Sequence, residues 1–325
     1  MAIVQPAQND SAAVETVAAR LRTTIHCYSL FDIFFPSCGL LDYTEGIYNH
    51  DPTTPYQVAQ RRQIDYVLDE VQCWKGMRVL DIGCGNGTVL KAIRERGADG
   101  VGITISSEQV ALCRACGLDA RQIDYKDLGQ EFRGQFDGVV ANGPVEHFVQ
   151  PSEAAECKAD KIYRGFFRIC HEVIDPHSTN RRMINTTIHF VRRPEPEKLL
   201  KSPFAFRWFS DEFHYAFLAR SFGGWYPVQG QLEECAQSYF QLAKSIDGTE
   251  DYHLTSEEWL ARIRSALLSC KALSLFGRSV PFALRHPKQF VTMMTCMLLT
   301  QSWNWQFRTQ DPPTRLVRQT WQYVD

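Results

Sequence analysis

The chain has 325 residues, of which 44% are hydrophobic and 22% charged, a composition that suits a globular protein. Its 35 basic and 37 acidic residues leave a net charge of −2, which argues against a dedicated nucleic-acid binder. Eleven cysteines, with no signal-type apolar stretch near the start, are expected as free thiols in a reducing cytoplasm, and no apolar run reaches the ~18–20 residues of a membrane span.

Residues 1–13 are polar and read as a frayed end. Val14, Val17, Ala18 and Leu21 then recur at helical spacing. An apolar cluster over 31–35 stops at Pro36, and residues 41–48 read as a loop. Ile64, Val67, Leu68 and Val71 predict a helix over 57–71. The first strand follows and closes on Val79-Leu80, with Asp81 at its end. Gly83, Gly85 and Gly87 come next, and helical spacing resumes at Val89 and Leu90. Such a turn lets backbone approach a ligand with no Cβ in the way. Its spacing differs from the Gly-x-Gly-x-x-Gly dinucleotide fingerprint. Strand-like runs at 100–105, 120–123, 137–141 and 183–188 alternate with helices, which predicts an α/β fold around a parallel sheet. Cys113-x-x-Cys116 lacks a second pair or a histidine at zinc spacing, so no metal site is expected. Arg181-Arg182 and Arg192-Arg193 flank the run at 183–190. They read as solvated pairs, or as holders of a phosphate or diphosphate.

Beyond residue 190 the character changes, since six of the seven tryptophans lie there. Helices are predicted over 256–268 and 287–299. The aromatic content suggests a mostly helical lid over an apolar pocket, although any one aromatic reads equally as core. Three parts are expected: a helical cap with a covering loop (1–75), a Rossmann-like core (76–190), and an aromatic-rich substrate lid that carries the remaining strands (191–325).

The string Asp81-x-Gly83-x-Gly85-x-Gly87 resembles the first motif of Rossmann-like S-adenosylmethionine (SAM) methyltransferases. Most of these carry a ribose-binding carboxylate after the second strand. Here that strand ends Gly102-Ile103-Thr104-Ile105-Ser106-Ser107-Glu108-Gln109. This resembles the Gly-x-Thr-x-Ser-x-x-Gln pattern of the cyclopropane fatty acid synthase family, which includes the mycolic acid cyclopropane synthases. Thr104 and Gln109 offer a hydroxyl and an amide in place of the carboxylate. Ser106 or Ser107 reads equally as a helix cap. Tyr43-Thr44-Glu45-Gly46-Ile47-Tyr48 resembles the loop that folds over SAM in that family, and Ala59-Gln60 resembles a pair in its first long helix. Asp124-Tyr125-Lys126-Asp127 resembles the segment bordering adenine. Asn142-Gly143-Pro144-Val145-Glu146-His147 resembles its Gly-x-x-Glu-His signature. Asp251 to Thr255 with Trp259 resembles its His-Tyr-x-x-Thr-x-x-x-Trp stretch.

The resemblance implies a seven-stranded class I methyltransferase sheet with an N-terminal cap and a C-terminal helical lid. It implies SAM as cofactor and S-adenosylhomocysteine as product. The implied reaction is methyl transfer to an alkene carbon of an unsaturated lipid or isoprenoid, giving a methyl branch or a cyclopropane through a carbocation. Aromatic faces stabilise such a cation, and a base removes a proton. The implied SAM contacts are Tyr43, Thr44, Asp81, Gly83, Gly85, Thr104, Gln109, Asp124, Tyr125 and Asn142. The implied catalytic residues are Glu146, Glu45, His147 and Tyr252. Glu45 stands where the family has a cysteine, and Thr186 aligns near its histidine, with His189 displaced to the strand end. The resemblance implies a bound bicarbonate as base, but two carboxylates around one small anion repel it, which leaves Glu45 or Glu146 as the base or points to a substrate other than a plain fatty alkene. Methylation at N, O or S of a small metabolite is the alternative, and a non-catalytic SAM-binding protein is the reading from another class. Expected partners are a small-molecule or lipid substrate and no nucleic acid, with peripheral membrane contact and an oligomer left open.

Overall fold

The computed structural model describes residues 21–40, 42–308 and 310–325. The polar end and, but for Leu21, the helix expected over 14–21 lie outside the described residues. Seven strands form one sheet: β1 (Arg78–Ile82), β2 (Asp99–Thr104), β3 (Asp119–Gln122), β4 (Gly138–Asn142), β5 (Arg182–Phe190), β6 (Phe240–Asp247) and β7 (Thr314–Tyr323). Their order is 3-2-1-4-5-7-6. The first five run parallel, and β7 is antiparallel to both β5 and β6. This is the class I methyltransferase sheet that the sequence leads one to expect.

Among the described residues two helices precede the sheet, α1 (Arg22–Ser37) and α2 (Tyr56–Glu70). The apolar cluster at 31–35 belongs to α1, whose Cys27, Leu30, Phe31, Phe34 and Phe35 form one buried stripe. Pro36 sits in its last turn; it forgoes one of the helix's final i→i−4 hydrogen bonds, and the helix ends one residue later at Ser37. Between strands the chain forms α3 (Thr88–Glu95), α4 (Ser107–Ala115), α5 (Pro151–Ala155) and α6 (Ala159–Val173). The chain then forms α7 (Pro196–Leu199), α8 (Asp211–Phe222) and α9 (Gln231–Ala236) before β6. Four more helices separate β6 from β7: α10 (Thr249–Leu267), α11 (Lys271–Arg285), α12 (Pro287–Met294) and α13 (Ser302–Arg308). The helix expected over 287–299 ends as a π-turn at Thr295–Leu299. Among the described residues no single helix is long and apolar enough to cross a membrane.

The period of two along each strand divides the core between two faces. Val79, Val140 and Ile184 pack with Val67 and Leu68 of α2 and Leu90 and Ile93 of α3. Leu80, Val139, Ala141 and Met183 point the other way, into the cluster that holds Tyr163, Phe166 and Phe167 of α6. With both faces covered, the parallel strands read as short apolar runs rather than alternating ones.

The loop over 42–48 is clamped between α2 and α10. The Ile47 N–H donates to the Ala59 carbonyl at 2.8 Å, and the Gln60 amide donates to the Thr44 carbonyl at 2.9 Å. From the other side, the Gly46 N–H donates to Thr255 and the Tyr48 N–H to Asp251, both at 2.8 Å. A Cβ on Gly46 would lie 2.7 Å from that of Ala59, so the approach of this loop to α2 depends on a glycine there.

Candidate active site

One cavity opens at the carboxyl ends of β1, β2 and β4, the usual place for a ligand in an open α/β sheet. Its empty space, with the open solvent at the mouth included, is about 1710 Å³. All fourteen residues singled out from the sequence line it: Tyr43, Thr44, Glu45, Asp81, Gly83, Gly85, Thr104, Gln109, Asp124, Tyr125, Asn142, Glu146, His147 and Tyr252. The two ends of the cavity differ in chemistry.

The first end is floored by the glycine turn. Gly83 has φ +77°, and a Cβ there would meet Pro144 at 2.8 Å, so only glycine fits. Asp81 is buried, and among the described residues its Oδ2 has no partner. Burial, with the neighbouring Asp42 and Cys113 adding, pushes its carboxyl well above the usual range. A buried acceptor left open in this way is a seat for a cationic donor. Asp42 accepts from the Tyr43 N–H at 2.8 Å and from the Thr88 hydroxyl. The Tyr43 hydroxyl donates to Asp32 and accepts from Asn86 at 2.8 Å. Thr104 donates to Gln109 Oε1 at 2.7 Å, which fixes the amide, and Ser106 caps α4 by accepting from the Gln109 N–H. Asp124 accepts from the Lys126 N–H at 3.1 Å, and Tyr125 lies against Phe148 with ring centroids 4.1 Å apart. Asn142 accepts from Gln63 and Thr186, each at 2.7 Å.

The second end is aromatic and comes from the helices. Tyr28 and Phe31 enter from α1, Tyr252 and Trp259 from α10, and Trp303 and Phe307 from α13. Trp259 and Trp303 stack at 5.8 Å, and Tyr252 stacks on Phe307 at 4.4 Å. Glu146 and His147 lie where the two ends meet. Glu146 accepts from the Ile188 N–H at 2.9 Å. Burial nevertheless pushes its carboxyl up to about 8, with the charge of Glu45 adding to the shift. His147 Nε2 lies 3.0 Å from the Tyr28 hydroxyl, and burial holds the imidazole down at about 4, so it is neutral near pH 7. Burial, together with the charges of Glu146 and Glu45, raises the Tyr252 phenol.

Glu45 is not a bare carboxylate. Arg318 of β7 donates to it at 2.8 Å and to Asp251 at 2.9 Å, and both Glu45 and Arg318 are almost wholly buried. The two carboxylates expected to repel a small anion are therefore not both bare, because a guanidinium offsets one of them. The arginine pairs on either side of β5 also lie elsewhere than the phosphate reading supposed. Arg181 pairs with Asp325, Arg182 donates to Gln322, and Arg192 pairs with Asp211 and Asp311. Arg193 stands over Trp225. Among the described residues no lysine or arginine lines the cavity, whereas Asp42, Glu45, Asp81, Asp124 and Glu146 do. His189 is buried, with its imidazole pushed down to about 4, and is not among the lining residues, while Thr186 is. Sequence reasoning missed Tyr28, Asp42 and Arg318. A signal for Arg318 was a single charge inside the strand-like run Leu316-Val317-Arg318-Gln319-Thr320-Trp321.

The mycolic acid cyclopropane synthetase family matches residues 22–278. A probable fatty acid methyltransferase of Pseudomonas putida is 36% identical over 157 residues, 45% of this chain and 39% of that protein. A ubiquinone biosynthesis O-methyltransferase of Pseudomonas aeruginosa (strain UCBPP-PA14) is 31% identical over 115 residues, 34% of this chain and 44% of that one. The match thus spans less than half the length of either curated relative. Among solved structures, mycolic acid cyclopropane synthase CmaA1 complexed with SAH and CTAB superposes with a TM-score of 0.65 at 20% identity. That superposition covers 94% of this chain and 97% of the other, and it shows a shared fold.

Proposed function

The chain belongs to the mycolic acid cyclopropane synthetase family of SAM-dependent methyltransferases, and from that premise we propose that it methylates an alkene carbon of an unsaturated lipid or isoprenoid. The observation that carries this reading is the two-ended cavity, acidic and glycine-floored at one end and aromatic at the other, with Glu146 between them. SAM, when bound, supplies an electrophilic methyl group on a positively charged sulfur. At the first end, the open Oδ2 of Asp81 suits an ammonium group, and the fixed amide of Gln109 and the Thr104 hydroxyl suit a sugar diol.

An alkene is a weak nucleophile, so the residues around it must hold it in line and shield the cation that forms on it. The ring faces of Tyr252, Trp259 and Trp303 provide that shield. Glu146 then takes the proton. Its loss from the new methyl group closes a cyclopropane, and its loss from a neighbouring carbon leaves a methyl-branched alkene. A carboxyl raised to about 8 is a stronger base than an ordinary glutamate once ionised. Glu45, held by Arg318, acts on Glu146 through its charge and is not the proton acceptor. The absence of lysine and arginine from the described lining favours a substrate that is uncharged where it enters.

The same acidic lining also suits an amine, which keeps N-methylation as the second reading. Incubation with SAM carrying a deuterated methyl group, offered both unsaturated lipids and amines, separates the two. Fragmentation that places the label on carbon supports alkene methylation, and label on nitrogen with none on carbon overturns it. Glu146→Gln should lose turnover on the alkene and keep SAM binding.

A further inference from the structure

Between Glu258 and Asp311 the chain has no acidic residue, yet it carries seven lysines and arginines. This stretch includes α11 and α12. Several exposed cations elsewhere are held by acids, as Arg61 is by Asp65 and Arg168 by Glu172. Here Arg264, Lys271, Arg285 and Lys288 are exposed, and among the described residues none of them has an ion-pair partner. The same surface is apolar. Leu273, Phe276, Val280 and Leu284 follow one another at three- and four-residue steps along α11 and form a solvent-facing stripe. Leu275, Ser279 and Phe282 are the buried side of that helix. Leu268, Leu273, Leu284 and Leu299 are 90%, 84%, 78% and 76% exposed. Single exposed leucines need no explanation, but a row of them set among unpaired cations does.

We propose that the face formed by α11 and α12 docks on an anionic phospholipid surface, with the leucines entering the acyl boundary and the cations meeting the head groups. Charge complementarity selects this occupant, because an apolar stripe ringed only by cations suits a bilayer carrying negative charge. The face also adjoins the cavity. Phe282 of α11 meets His26 of α1 with ring centroids 6.1 Å apart, and Thr24, Ile25 and Tyr28 of α1 line the cavity. One helix therefore separates the lipid face from the site. The docking rests on the surface alone and does not depend on the chemistry assigned to the cavity.

Flotation of the full chain with vesicles tests it. The chain should rise with vesicles of phosphatidylglycerol mixed into phosphatidylcholine, stay behind with pure phosphatidylcholine, and be released as salt is raised. Leu273→Glu with Leu284→Glu should weaken binding at least about tenfold. Lys271→Glu with Lys288→Glu should do the same through charge alone, so the outcome does not hang on one variant's folding. Both pairs should titrate SAM as the unmodified chain does, which separates failure of docking from failure of the site. The proposal is overturned if the unmodified chain ignores phosphatidylglycerol vesicles, or if both variant pairs bind them equally well. It is also overturned if light scattering without lipid shows a dimer that Leu273→Glu with Leu284→Glu splits.

Discussion

Arg318 holds Glu45 and Asp251 on one guanidinium, its Nε 2.8 Å from the first and an Nη 2.9 Å from the second. Glu45 belongs to the covering loop, Asp251 to α10 and Arg318 to β7, so one buried cation joins three parts of the cavity wall. Removing it leaves two carboxylates out of water with no counter-charge. Arg318→Met should cost ~3–5 kcal/mol in urea unfolding, with the slope of the transition unchanged. Adding Glu45→Gln to that variant should recover part of the loss, because one stranded charge disappears. A cost below ~1 kcal/mol for Arg318→Met would mean that the cluster is solvated and does not brace the wall.

Glu146 sets a pH dependence with a definite sign. Its carboxyl is pushed up to about 8 in the folded chain from an ordinary value of 4.5, by burial and then by Glu45, against the opposing Ile188 N–H. The folded chain therefore holds this proton more tightly than the unfolded chain. The contribution to stability is full below about 4.5 and is lost as pH rises through about 8. Activity should run the other way and rise across the upper part of the same window as the base ionises. Melting temperatures and initial rates between pH 5 and 8.5 check both trends, and Glu146→Gln should flatten the first and abolish turnover. His147, held down at about 4, contributes oppositely, with stability lost as pH falls from about 6.5 through 4.

Gly46 and Ala59 form a contact with no spare volume. A Cβ at residue 46 would sit 2.7 Å from that of Ala59 and 3.0 Å from its carbonyl carbon. Gly46→Ala should destabilise by ~1–3 kcal/mol through overpacking and weaken SAM binding by loosening the loop. Gly46→Ala with Ala59→Gly should recover most of both losses. Unfolding curves and SAM titration of the three variants give the coupling, and strict additivity would show that the two residues act independently.

The core from 76 to 190 was legible because buried parallel strands leave short apolar runs, and because a glycine turn after a strand has one main physical use. The loop over 42–48 was singled out through its resemblance alone, since nothing in its composition marks it. Arg318 and Glu45 are 273 residues apart, and no local pattern joins residues at that distance. β6 was not placed because it is an edge strand whose residues from Lys244 to Asp247 are exposed, so its polar sequence carries little strand signal. The cluster at 31–35 was seen as apolar but not as helix, because Pro36 reads as a breaker until it is known to lie in a last turn. The arginine pairs beside β5 were read as available charge, and only the fold shows which acids hold them.

If the glycine-floored end of the cavity holds SAM, Asp81 is its charged anchor. Calorimetric titration of SAM and of S-adenosylhomocysteine into the unmodified chain and into Asp81→Asn tests this most directly. One site per chain is expected for each ligand, with affinity lowered about ten- to a hundredfold in Asp81→Asn. Heat of binding from neither ligand, or equal affinity in the two chains, would contradict it.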